Sequence, residues 1–190
     1  HFFSKKLFKS ILISTIPIVV VGGIVKIFIP DFFETIFRSN LSIAMVSFFM
    51  SIYMYIADNS KTKFINIKNH NYLNGLLIGF SQAFAIIPGV SRSGITISTA
   101  LFSGWERKDA AKFSFLLGLP SISLAAIAEF SSSVNEISSL SFYPLIVGLI
   151  TAFLFSLLAI DFLLRYLKFN DMKLFIIYRV IFSILIFLNL

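Results

Sequence analysis

The sequence has no cysteine, which excludes disulfides, thiolate nucleophiles and Cys-ligated metal centres. It is also poor in charge. Only 13% of its 190 residues are Asp, Glu, Lys or Arg, about half the share a soluble domain carries. Histidine occurs only as His1, at the terminus, and His70, in a basic loop, so no imidazole lies near the motif described below. What fills the chain is apolar: 57% of the residues are hydrophobic and 24 are Phe. The solvent that suits such a composition is a bilayer. The net charge of +7 does not point to nucleic acid, because the basic residues cluster at the ends of apolar runs, which is the membrane pattern.

A bilayer core of about 30 Å needs roughly 20 apolar residues in a helix. Leu7 to Ile29 and Leu41 to Ala57 read as spans. The next stretch breaks the pattern. Tyr72 to Ile87 is apolar, a polar loop follows, and Ile95 to Phe102 is apolar again. At 1.5 Å per residue these pieces reach only about 24 and 12 Å, so a re-entrant helical hairpin over about 72–103 is expected, with its tip surrounded by protein or water. Phe113 to Ala128, Phe142 to Ile160 and Leu174 to Leu190 read as three further spans, and Glu129 to Ser141 as a polar surface loop. The expectation is one all-α polytopic membrane domain over 1–190, with about five transmembrane helices and one hairpin. Charge agrees: Lys5, Lys6, Lys9, Lys61, Lys63, Lys68, Arg107, Lys108, Lys112, Arg165, Lys168 and Lys173, 12 of the 16 basic residues, fall on one side only if the hairpin enters and leaves by that side.

The loop Pro88-Gly89-Val90-Ser91-Arg92-Ser93-Gly94 carries the chemistry. Pro88 and Gly89 end the first half-helix, and Gly94 is expected to take a backbone conformation closed to other residues. Ser91, Ser93 and Thr96 supply hydroxyls, and Arg92 a planar fork of donors. A second half-helix starting near Ile95 would point its free N–H groups at the loop. Together these make an anion site that suits phosphate. The alternative is a structural Arg92 held by carbonyls or a carboxylate. Spacing alone does not separate an enzyme from a transporter.

Pro88 to Ile97 resembles the second signature of the undecaprenyl-diphosphatase family, the bacitracin-resistance phosphatases, and Ala110 to Pro120 resembles the segment that follows it. The likeness covers essentially the whole chain. It implies hydrolysis of undecaprenyl diphosphate to the monophosphate and phosphate in the bacterial cell membrane, recycling the lipid carrier of cell-wall synthesis. It also implies an inverted-repeat fold, a polyprenyl diphosphate partner and a divalent cation, Mg²⁺ or Ca²⁺. The family's first signature, Glu-rich with a Ser pair and a His, has no match. The chain is therefore expected to be a fragment, with roughly 70 residues more upstream, on the scale of two or three spans, and with the cation ligands there rather than in this chain.

On this reading Arg92, Ser91 and Thr96 are the expected catalytic residues, with Arg92 clamping the diphosphate. Ser93, Gly94, Gly89 and Gln82 are expected to bind or support phosphate. Asp161 and Arg179, charges within or beside spans, are each functional candidates by default, with a structural pair the expected reading. Trp105 reads as an interfacial anchor and Glu106 to Lys112 as a solvated helix start. The alternative function is a polyprenyl-phosphate transporter, since inverted repeats with broken helices are common in transporters; Arg92 would then hold the headgroup without chemistry.

Overall fold

The structure is a computed structural model that describes residues 4–28, 36–60, 64–137 and 142–189. Its described elements are helical: α1 (Lys5–Phe28), α2 (Asn40–Asp58), α3 (Tyr72–Ala83), a 3₁₀ turn (Phe84–Ile86), α4 (Arg92–Phe102), α5 (Arg107–Ile137), α6 (Phe142–Phe169) and α7 (Lys173–Leu188). Helices α1, α2, α5 and α6 are long and apolar enough to cross a membrane, and α7 adds 16 residues, about 24 Å. This is a polytopic membrane protein. Its outer surface is apolar side chains such as Phe49, Ile127, Phe153 and Leu158.

Several boundaries differ from the expected ones. The chain from Glu129 does not become a loop; α5 runs on to Ile137, because nothing between Ser121 and Ile137 is Gly or Pro and polar residues alone do not break a helix. Residues 138–141, the rest of that expected loop, lie outside the described residues, as do Ile29, Asp31, Glu34, Lys61, Lys63 and Leu190. Trp105 is not an interfacial anchor. It is fully buried against His70 and Phe113, with ring centroids 5.4 and 5.0 Å away. His70 is buried too, its Nδ1 2.8 Å from the Ile67 carbonyl oxygen. The helix start at Arg107 is half core: Ala110 and Ala111 are fully buried, and Asp109 accepts the Ile67 N–H at 3.1 Å.

Two features position the site. First, α1 and α3 approach closely because Gly75 and Gly79, one turn apart, face Ser10 and Ser14, the small-residue packing that membrane helices favour. Second, the two ends of the α3–α4 hairpin are tied together. Phe64 and Ile65 donate their N–H groups to the Gly104 carbonyl, both at 2.9 Å, and Glu106 N–H donates to the Ile65 carbonyl at 2.9 Å. The chain entering the hairpin thus meets the chain leaving it. Beside this strap, Arg107 Nε lies 2.5 Å from Asp58 Oδ1, and Asp58 Oδ2 accepts the Met172 N–H at 2.9 Å. One carboxylate pins the ends of α2, α5 and α7 at the basic end of the molecule.

His70 makes this end pH-sensitive. Burial pushes its imidazole below the ordinary value and Lys6 adds to that, while the Ile67 carbonyl opposes both. The fold favours the neutral ring. An unfolded chain takes up the proton near pH 6.5, so the stabilisation is complete above that pH. It is lost as pH falls from there through the lowered folded value. The thermal midpoint in detergent should fall as pH is lowered from about 6.5, the free imidazole value. A His70→Gln protein should show a flatter profile; an equal slope in the two proteins would remove His70 as the cause.

Candidate functional site

The hairpin tip differs in detail from its expected form. Helix α3 stops at Ala83 and tightens into the 3₁₀ turn, so the first half-helix ends before Pro88. The second begins at Arg92, not near Ile95, which puts Arg92 and Ser93 in its first turn. Ser91 is the N-cap: its Oγ accepts the Gly94 N–H at 3.2 Å, the usual role of Ser at a helix start. Gly94 itself is helical, which corrects the expectation of a special backbone there. That role falls to Gly89 (φ 92°) and Ser91 (φ 62°, ψ 107°). A non-glycine residue in such a conformation stores about 1–3 kcal/mol and persists only when its surroundings hold it.

Those surroundings come from distant helices. The Gly89 carbonyl accepts Ser47 Oγ of α2 at 3.3 Å and also Nη2 of Arg179 on α7. A Cβ on Gly89 would press on the Ile43 carbonyl, 2.8 Å away. The tip is therefore wedged against α2 and hooked by α7.

Ser91, Ser93 and Gly94 line one cavity of about 140 Å³ together with Met54, Tyr178 and Arg179. Arg92 does not line it. Its guanidinium lies over Gly118 of α5, where any Cβ would overlap it, and its Nη1 is buried with no hydrogen-bond partner. Thr96 is fully buried, and its hydroxyl is engaged within the protein: it donates to the Arg92 carbonyl at 2.8 Å and shares a 2.6 Å bond with Ser114 Oγ. Gln82 is also fully buried, with neither Oε1 nor Nε2 partnered. Of the seven expected site residues, three face the cavity, Gly89 supports it from behind, and Arg92, Gln82 and Thr96 stand on other faces of the hairpin.

Residues 3–185 match the family described as bacitracin resistance protein BacA. The chain belongs to that family. It is 67% identical over 190 residues to the undecaprenyl-diphosphatase of Prochlorococcus marinus strain MIT 9301, covering 100% of this chain and 71% of that relative. A second relative of the same name, from strain AS9601, is 68% identical over 186 residues, or 98% of this chain and 68% of its own length. A more distant one from Trichodesmium erythraeum is 42% identical over 186 residues, 97% of this chain and 60% of the relative.

In this BacA family member two arginines lie near the start of α4: Arg92 within its first turn, over Gly118, and Arg179 of α7 at the cavity. Sequence reasoning found Arg92 but paired Arg179 with Asp161. The structure separates them. Asp161 binds Arg165 one turn along α6, with Nε to Oδ2 at 2.8 Å, and both are exposed. Arg179 reaches the Gly89 carbonyl instead. Among the described residues neither Arg92 nor Arg179 has a carboxylate within salt-bridge distance. Among the described residues no three carboxylate, imidazole or thiol groups converge there either, and no described carboxylate lines the cavity. The described donors are hydroxyls and guanidiniums, which suit an anion and do not suit a hard cation, whose ligands are oxygen anions and carbonyls.

Proposed function

We infer that this protein is a membrane hydrolase that cleaves undecaprenyl diphosphate to undecaprenyl phosphate and inorganic phosphate. The reaction recycles the lipid carrier for peptidoglycan synthesis and underlies bacitracin resistance. The observation that carries the reading is the match of residues 3–185 to the BacA family, with relatives at 67% and 68% identity bearing the diphosphatase name. No finding favours the transporter alternative.

The geometry supports a division of labour. Ser91 Oγ accepts from Gly94, which leaves its O–H free to donate to a phosphate oxygen, and Ser93 offers a second hydroxyl to the same cavity. The N-terminus of α4 contributes the positive end of its dipole. Arg92, with a buried and unpartnered Nη1, clamps the diphosphate from the α5 side and stabilises the charge that builds on the leaving phosphate. Thr96 fixes the turn that carries Arg92 rather than touching substrate, as its bonds to the Arg92 carbonyl and Ser114 indicate. A divalent cation, Mg²⁺ or Ca²⁺, belongs to the proposal as the family's expected cofactor; the steps above need only side chains of this chain. The proposed location is the bacterial inner membrane.

The test is phosphate release from undecaprenyl diphosphate by the intact reading frame in detergent, with and without Mg²⁺ or Ca²⁺. Release that depends on the cation is expected. A well-folded protein that releases no phosphate in either condition, yet moves the lipid between leaflets once reconstituted in vesicles, would overturn the hydrolase reading.

A further inference from the structure

We propose that Arg179 is a second phosphate-binding residue of this site, holding the phosphoryl group that enters the Ser91–Ser93 cavity while Arg92 holds its neighbour from the α5 side. The proposal rests on the diphosphatase reading.

Helix α7 is otherwise apolar along this stretch (Phe175-Ile176-Ile177-Tyr178-Arg179-Val180-Ile181-Phe182). A guanidinium within an apolar membrane helix is costly, so some interaction must offset it. No carboxylate does so among the described residues. One donor, Nη2, goes to the Gly89 carbonyl, while Nε is buried with no partner. Latching the hairpin tip requires one neutral donor, which an amide could supply. The fixed positive charge and the idle Nε are left unexplained by a latch.

The cavity explains the charge. Arg179 lines it together with Ser91, Ser93 and Gly94, and among the described residues no acidic side chain does. A phosphate there meets two hydroxyls, a helix N-terminus and the positive charge of a guanidinium, a donor set that suits an anion. The same side chain holds the Gly89 carbonyl, so occupancy of the cavity and the strained tip at Gly89 and Ser91 are joined through one group.

The experiment uses the intact reading frame in detergent. Arg179→Gln keeps a donor for Gly89 and removes the charge; Arg179→Lys keeps the charge. Charge-assisted hydrogen bonds to a phosphate convert to about 10- to 100-fold in affinity. Arg179→Gln should therefore raise KM for undecaprenyl diphosphate and the inhibition constant of inorganic phosphate by about that factor, with Arg179→Lys recovering part of it. A Gln protein that matches the wild type in both constants overturns the proposal and leaves a latch. The second measurement needs no variant. Phenylglyoxal modification of Arg179 in the wild type, read by mass spectrometry, should fall about tenfold with pyrophosphate at ten times its dissociation constant. Modification unchanged by pyrophosphate overturns the proposal even if the variants fail to fold. Absence of phosphate release by the wild type would instead sink the diphosphatase reading, and the protection experiment would still decide whether Arg179 binds the anion.

Discussion

Arg92→Ala should lose at least about 10²–10³ in kcat/KM, the range for removing one donor aimed at developing charge, while the thermal midpoint holds or rises. The two halves of that expectation share a cause. Arg92 Nη1 is buried without a partner, a state that costs about 1–3 kcal/mol, so truncation relieves the fold while it disarms the site. Arg92→Lys should not restore turnover, because an ammonium cannot reproduce a planar two-point contact. Gly118→Ala gives an independent check that leaves Arg92 in the sequence. Its new methyl would take the place of the guanidinium, and the group that must yield is the end of a flexible side chain rather than backbone. Activity should therefore fall with little change in midpoint. Full turnover in folded Arg92→Ala and Gly118→Ala proteins would remove Arg92 from the site.

Gly79→Ala should do the opposite and damage the fold. A Cβ at Gly79 would run into the backbone of Ser14, overlapping its carbonyl oxygen, Cα and carbonyl carbon. Backbone cannot rotate away, so α1 and α3 must part, and overpacking of a fitted interface costs about 1–3 kcal/mol or more. Gly75→Ala, one turn earlier, meets mainly the Ser10 hydroxyl, which can turn aside, and should cost less. Thermal midpoints of the two proteins in detergent separate the cases; equal losses would mean that the α1–α3 approach is looser than described.

The spans and the hairpin were legible because length, apolar content and Lys/Arg placement are properties of the sequence read in order. The loop motif was legible because Ser, Arg and Gly sit within a few residues of one another. What escaped depends on contacts between distant positions. Arg179 lies 90 residues from the Gly89 carbonyl it holds, and no local pattern around Tyr178-Arg179-Val180 announces that partner. Trp105 and His70 looked like surface residues because basic side chains surround them; the strap between 64–66 and 104–106 folds them inward, against Phe113. Gly94 drew attention as the glycine of the motif, but Ser91 bears the unusual backbone, since its side chain is needed to cap the turn that starts there.

The strap also bears on how the protein is made. Because Phe64, Ile65 and Glu106 close the base of the hairpin at the end where Arg107 and Asp58 meet, the segment enters and leaves the fold at one end. A segment tied in this way can be lowered into a bilayer from one face, with no cation of it dragged through hydrocarbon during biogenesis. Assembly can then set the flanking spans first and seat the tip afterwards, when α2 and α7 are in place to receive Gly89.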